Sequence, residues 1–535
     1  MATYTWKQPV ASGVSTPTLY TTASAWGGVV PGVADTAVIS SAGDGTPSDN
    51  TYTGILSPHA GSSAPFLTSK TLTLYHSALV QDPTNKSIYY YSDPLIGSVP
   101  LGQTIDPAVL DLIGAGSEAA LVLQRSTIAA STVTNVSGDA YMYAGYTNVL
   151  KGNIQIGLPF SVSGKPVTST TTDANGFKNA LYIDVQDYGS WVAPLTPSGY
   201  VPGVTSEGTI SVAPSSALWV SVAGNAQTIQ TVKGVTLEQA AAVSAFTNTG
   251  TIHVDAGGTL HVTAYGGKGE LINRGSITVA GHAGDTTVAL VQAVVEGAGT
   301  WTLSGGSAAA AAFTGAIFGN NVTGGTIRIS DATLRFLGGT GDSLDNIVVS
   351  KGTIGFVGTG GVMEIDTGID QTAYSVFSDT ITGFAPTDTI LLKVSLLPGD
   401  TLTLNPTWVA GTNGGSLLLS AVSGSSSAPE ALFKLDGKYA GGLSDFKITS
   451  VASSGLDTVT ITTIASQAAA AQLSAGDWSM ANGLGLPGDT SQPAGVGLAV
   501  DARVPGAESG AALAPYEWTE AAHPVTGVVV PRLAA

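Results

Sequence analysis

The chain has 535 residues, 69 of them Gly and 26 Pro, no Cys, and only 10% Asp, Glu, Lys and Arg, where an ordinary soluble domain carries roughly 25%. With 43% hydrophobic residues it is too apolar for intrinsic disorder, it lacks the strict Gly-X-Y period of collagen, and a net charge of −18 repels a phosphate backbone and disfavours nucleic acid as a partner. The absence of Cys removes disulfides, thiolate metal sites and Cys nucleophiles, leaving a long, turn-rich protein made soluble by Ser, Thr, Asn and Gly, a composition that favours β structure.

Residues 1–60 read as an N-terminal, aromatic-rich capping coil holding Trp6, Trp26, a Val30-Pro31-Gly32 turn and an apolar strand from Asp35 to Ile39. The opening Met1 to Lys7 has no basic stretch followed by an apolar one, so no cleavable signal peptide is read there. The most apolar runs, Val288 to Val295 and Ala308 to Phe318, fall well short of the roughly 20 residues of a membrane-spanning helix. Residues 61–205 form an irregular, Tyr-rich stretch, Tyr141, Tyr143, Tyr182 and Tyr188 among them, that is either a long excursion or a separate lobe. Within it Asp106-Pro107 predicts a helix running through Leu112, with Asp as N-cap and Pro at the first helical position.

Residues 206–370 repeat. Gly, then Thr or Ser, then an apolar residue recurs at Gly208, Gly250, Gly275, Gly299, Gly325 and Gly352, with steps of 25, 24, 26 and 27 residues from Gly250 onward. The earlier step of 42 is one period plus an insertion. There Thr236-Leu237-Glu238-Gln239 followed by Ala240-Ala241-Ala242 has the pattern of a capping box, and a short helix is expected. Inside each period apolar and small polar residues alternate, as in Thr251-Ile252-His253-Val254 and Ser276-Ile277-Thr278-Val279, which is the period of strands. A unit of about 25 residues cannot bury its apolar face alone, whereas stacked units can. The expected fold is therefore all-β, a parallel β-solenoid (β-helix) with capping modules and a short inserted helix; a β-sandwich is the competing reading, and its strands would not keep so regular a step.

Residues 371–464 read as a C-terminal β capping module, and 465–535 as an Ala/Gly/Pro-rich tail with six acids, from Asp477 to Glu520, against Arg503 and Arg532. The tail is either extended and disordered or an uncleaved secretion signal. The early Trp pair, the Val-Pro-Gly turn and Asp35-Thr36-Ala37-Val38-Ile39 resemble the opening of bacterial autotransporter-like and adhesin-like β-helix proteins. Phe377 to Phe384, Thr387 to Leu391, Leu435 to Gly441 and Asp457 to Ile461 are similar to the module that closes such solenoids in secreted surface proteins. The Cys or Ser block of the self-processing domain that some of them carry has no counterpart here. The resemblance implies a bacterial protein of the cell surface or exterior.

Signs of chemistry are sparse. Glycoside hydrolysis requires two carboxyl groups roughly 5 to 9.5 Å apart; Glu364-Ile365-Asp366 places two on one strand face, though such a pair is more often a solvated edge. The six His residues show no zinc spacing, and His253 and His261 fall at outward, polar positions. Gly338-Gly339-Thr340-Gly341-Asp342-Ser343 approaches a calcium-roll repeat but has Ser where the ligand Asp belongs, leaving at most a single calcium site at Asp342 and Asp345. No catalytic, cofactor-binding or metal residue is assigned, and no cofactor is expected.

The sequence thus points to a non-enzymatic, extracellular or cell-surface structural or adhesive protein that self-associates into filaments or a surface layer, as in a biofilm, with cell-surface polysaccharide as a further partner. Two alternatives stand beside it: a carbohydrate-active β-helix enzyme (polysaccharide lyase or hydrolase) working through the Tyr-rich region, and a glycan-binding protein without turnover.

Overall fold

A computed structural model describes residues 2–5, 18–19, 23–40, 55–56, 71–75, 78–80 and 103–105, most of 108–167, then 176–185, 203–223, 230–232, 235–237, most of 244–305, 316–318, 322–323, 325–337, 352–366, 375–395, 403–423 and 426–464 except 454–455. These residues are all-β with parallel sheets, and their only helical turns are the 3₁₀ segments Ala23–Trp26 and Gly442–Asp445.

Alternation decides the strands. In Thr251–Val254, Ser276–Ala280, Thr300–Ser304 and Thr326–Ser330 every second side chain is buried, and the Thr, Ser, His or Arg between them faces outward. These four strands pair in parallel, in register, one above the next: Ile252 lies against Ile277, Ile277 against Trp301, and Trp301 against Ile327. The column continues through Ile354 and Ile381 to Leu435, and backward through Ile210 and Ile154. All of these side chains are buried in one core.

Most of the described strands fall into three such stacks. The first holds the column just traced. The second contains Asn179–Val185, Ser216–Ala223, Thr259–Tyr265, Val288–Gln292, Ala316–Phe318, Thr333–Leu337, Val362–Asp366 and Thr389–Ser395. The third is an 8-stranded parallel sheet from Gln103–Ile105 to Val322–Thr323. Within the repeat the chain visits the stacks in a fixed cycle: Ala245–Asn248 in the third, Thr251–Val254 in the first, Thr259–Tyr265 in the second, then Glu270–Asn273 back in the third. Two long strands, Val109–Gln124 and Val133–Gly145, run through the first and second stacks without a break and join them into one 27-stranded sheet. Val133–Gly145 turns between the stacks at Gly138, whose φ of +66° suits Gly and where the register with its neighbour shifts.

Except for the antiparallel hairpin Phe160–Val162 with Lys165–Val167, the described strands of 103–185 therefore belong to the same stacks as the repeats, and the Tyr-rich region contributes levels to the core. In place of its predicted helix, Val109 to Leu112 begin a strand, in which Leu110 and Leu112 enter the core and Asp111, on the opposite face, is buried and accepts from Asn135 Nδ2 (2.9 Å). The β-branched and apolar run that follows outweighs the local capping signal. The start of the second predicted helix is corrected as well. The 42-residue step does contain an insertion, but its described part is an antiparallel hairpin, Gln230–Val232 with Val235–Leu237, so Thr236 and Leu237 lie in a strand. Glu238 to Ala242, Trp6, the calcium candidates Asp342 and Asp345, and the tail 465–535 lie outside the described residues.

The corner that enters the first stack explains the marker glycines. The amide of Thr251 donates to the carbonyl of Gly208 (3.1 Å), Ser276 to Gly250 (3.0 Å), Thr300 to Gly275 (2.9 Å) and Thr326 to Gly299 (3.0 Å). Backbones approach so closely here that a Cβ on Gly299 would lie 2.6 Å from the Gly275 carbonyl oxygen, and one on Gly250 or Gly275 would overlap the carbonyl below outright. Beside this column runs a buried one of amides. Asn248 Nδ2 donates to Asn273 Oδ1 (2.9 Å) and to the Ser276 carbonyl (3.2 Å), and Asn273 Nδ2 donates to the Thr300 carbonyl (3.3 Å). Each Asn stands two residues before a corner Gly and satisfies the backbone where the ladder turns.

Both ends are closed by apolar layers. At one, Ala25 and Trp26 of the 3₁₀ turn are buried against the core. At the other, the parallel register gives way to antiparallel pairing: Thr403–Gly411, Gly414–Ser423 and Ser426–Asp436 form a meander whose last strand joins Ser375–Thr382, and Leu456–Thr463 pairs antiparallel with both Thr389–Ser395 and Phe446–Ser453. Trp408, Tyr439 and Phe446 pack ring to ring there at 4.9 to 5.6 Å.

The corner contact makes a testable statement. Gly275→Ala forces a methyl into the Gly250 carbonyl and is expected to cost about 1–3 kcal/mol, as overpacking does. Gly32→Ala, whose Cβ would meet nothing nearer than Asp35 Oδ2 at 3.7 Å, is expected to leave the thermal midpoint nearly unchanged. Thermal unfolding of the two variants beside the wild type checks both.

Candidate functional site

The outward positions of the second stack carry the densest constellation of functional side chains. In Asn179–Val185 the core takes Leu181, Ile183 and Val185, so Tyr182 points out. Parallel register sets it beside Tyr141 on one side and Trp219 on the other, and Trp219 beside His261. The rings follow this spacing: Tyr141 and Tyr182 stack with centroids 4.7 Å apart and planes 12° from parallel, Tyr182 and Trp219 are 5.9 Å apart, and Trp219 and His261 3.7 Å. A tighter fit comes from small neighbours, since Ala180 and Ala217 are buried in the same cluster and Phe177 packs against it. Tyr141 and Tyr182 are buried, whereas Trp219 and His261 are half-buried. His261 Nε2 lies 2.9 Å from Thr263 Oγ1, so hydroxyl and imidazole are joined at the more open end.

In register, the column runs from His261 through Leu290 and across the strand Ala316–Phe318 to Arg335 and Glu364. Arg335 Nε donates to Glu364 Oε2 at 3.0 Å and Lys393 Nζ pairs with Oε1, while the Glu364 side chain is only 6% exposed. The carboxylate pair anticipated at Glu364 and Asp366 is thus half accounted for: Glu364 is held between two cations as an ion pair rather than standing as a free acid, and the Asp366 side chain lies outside the described residues. His253 points outward as expected and pairs with Asp255 at 2.9 Å. His261 also stands at an outward position, half-buried, where it joins the ring column. Among the described residues no group of three or more His, Asp or Glu is placed to hold a metal ion.

Two aspartates perform one task in different surroundings. Asp35 accepts from the amides of Gly32 (3.1 Å) and, across a level, Ala2 (2.9 Å). Asp388 repeats this with Ala385 (2.9 Å) and Gly361 (2.9 Å). Both carboxylates cross-link successive levels just before a strand that opens on Thr. Asp35 is half-buried, and the backbone hydrogen bonds hold its pKa below the ordinary carboxylate value. Asp388 is 2% exposed; there desolvation outweighs the same two hydrogen bonds, the Asp331 carboxylate adds repulsion, and its pKa is pushed up to about 6. Burial of Glu270, with Glu296 near it, raises that carboxyl as well.

The sequence matches no protein-family model and no curated protein, and the structure matches no solved structure. The chemistry of the site must therefore be read from its own residues. Stacked rings, a hydroxyl–imidazole contact and a paired carboxylate supply surfaces for packing and hydrogen bonding; they do not form an acid–base couple across a cleft. Sequence reasoning listed Tyr141 and Tyr182 as members of a Tyr-rich stretch and missed that they share a column with Trp219 and His261. Asn at the same offset in Asn248-Thr249-Gly250 and Asn273-Arg274-Gly275 is the sequence signal that marks the buried ladder.

A raised folded-state pKa at Asp388 means that its protonated form fits the fold better. Its contribution to stability is complete below the unfolded value of 3.8 and is lost as pH rises through about 6, a swing of roughly 3 kcal/mol. Asp388→Asn keeps the volume and removes the titration. The thermal midpoint of the wild type relative to this variant is expected to fall between pH 4 and pH 7; a constant difference across that range would contradict the assignment.

Proposed function

We propose that the chain is a β-solenoid of the bacterial exterior, a structural or adhesive protein whose work is reach and surface contact rather than turnover. The observation that carries this reading is the unbroken column from Ile154 to Leu435, in which equivalent residues of successive levels lie directly over one another. At roughly 4.8 Å per level, the strands of the first stack from Thr3–Thr5 to Ser426–Asp436 extend over about 60 Å. A ladder of this kind gains stiffness from backbone hydrogen bonds in every level and needs few charges, which agrees with a chain that is 10% Asp, Glu, Lys and Arg. The resemblance of Asp35 to Ile39 and of the closing strands to adhesin-like β-helix proteins supports the same location. A non-permeant protease added to intact cells that produce the chain should degrade it without lysis; a chain protected until the cells are broken would contradict an exterior location.

A glycan-binding role without turnover is the second reading. It is favoured by the half-buried Trp219 and His261 at the open end of the ring column, since indole faces pack on the apolar faces of sugars. Binding on a glycan array with no release of sugar ends selects it over the enzyme alternative.

A further inference from the structure

The large apolar side chains that stand exposed among the described residues are not spread over the molecule. Val29 and Val33 are 54% and 73% exposed on the segment that carries Trp26 over one end of the core. Val409, Leu443, Val451 and Ile464 are exposed on the antiparallel layer that closes the other, and only Val357 lies between. Each closing layer has two sides. Trp26 and Val30 turn toward the core while Val29 and Val33 turn away; Leu404, Trp408 and Ile448 turn toward it while Val409 and Val451 turn away. The 3₁₀ segment Gly442–Asp445, which carries Leu443, touches both Thr403–Gly411 and Phe446–Ser453, so the exposed residues of that end share one region.

Charge follows the same distribution. The whole chain carries −18, yet residues 23–34 and 401–429 contain no charged side chain. Copies approaching side by side meet mutual repulsion, whereas the segments that carry Val29, Val33 and Val409 at the two ends bear no charged side chain. The strand Thr403–Gly411 and the strand Thr3–Thr5 are opposite edges of one continuous sheet, each paired on a single side among the described residues. Pro406, lacking an amide hydrogen, blunts the first of these edges against simple strand addition.

From this we infer that the partner at each end is a second copy of the same chain: the Val29/Val33 end of one copy packs on the Val409/Val451 end of the next, side chain against side chain. The two surfaces differ, so the contact is heterologous and does not close on itself, and copies add in line. The inference rests on the scaffold reading above and gives it a mode of assembly.

The test uses the full chain and two double variants at exposed positions, Val29→Glu with Val33→Glu and Val409→Glu with Val451→Glu, each first shown by circular dichroism and thermal unfolding to keep the wild-type fold. Light scattering of the wild type should show a mass that rises with concentration through twice the monomer and beyond. Either variant alone should remain monomeric, because one of its two ends is blocked. Mixed in equal amounts they should form a dimer and stop there, since each retains the end that the other lacks. A monomeric wild type at every concentration would overturn the inference, and so would self-association of either variant alone or failure of the mixture to pair. A monomeric wild type that is nevertheless degraded on intact cells leaves the exterior scaffold standing, so the two proposals fail separately.

Discussion

The structure depends on the close approach of backbones at one corner, repeated about every 25 residues. There the carbonyl of a Gly in one level receives the amide that follows the Gly of the next, and no room is left for a Cβ. Strand length, loop length and insertions vary between levels without harm, because each circuit returns to this contact. The same constraint explains why the core columns hold Ile over Ile and Val over Val: once the corner fixes the register, a residue's neighbours above and below are its own counterparts. Asn248 and Asn273 strengthen the corner from inside by satisfying buried backbone groups that a purely apolar core would leave unpaired.

Between corners the design is permissive outward. Each outward column is a line of neighbours fixed by register, and the chain uses these lines in different ways. In the second stack a line of rings from Tyr141 to His261 passes into an ion-paired group at Arg335, Glu364 and Lys393. Such lines brace the sheet and at the same time provide an ordered surface, which is the economy expected of a scaffold. Asp35 and Asp388 show how burial alone alters a repeated element: two amides are accepted by each, yet the first is held more acidic than usual and the second less.

Much of this was legible in the sequence, for physical reasons that also mark its limits. The glycine step and the two-residue alternation identify strands, period and insertion, because both arise from contacts that every level repeats. Two helices were expected; strands stand at the described part of the first and at the start of the second. Asp106-Pro107 and Thr236 to Gln239 have sound capping patterns, but capping is worth about 1 kcal/mol, and the ladder hydrogen bonds and burial gained by the strand from Val109 outweigh it, while Thr236 is taken up by a hairpin. The ring column was not legible, since Tyr141, Tyr182, Trp219 and His261 are 41, 37 and 42 residues apart and become neighbours only when the excursions between levels are known. The pairing of Glu364 with Arg335 and Lys393 was hidden for the same reason.

The central claim is that chain distance converts to levels along one direction. The chain contains no Cys, so nitroxide labels can be placed one pair at a time by single substitutions to Cys at outward positions of the first stack. Ser211 and Arg328 are four levels apart, and Ser211 and Thr382 six, along one outward column. Pulsed dipolar spectroscopy should give separations near 19 and 29 Å, in proportion to roughly 4.8 Å per level. Separations that fail to grow between the two pairs would contradict a continuous in-register stack.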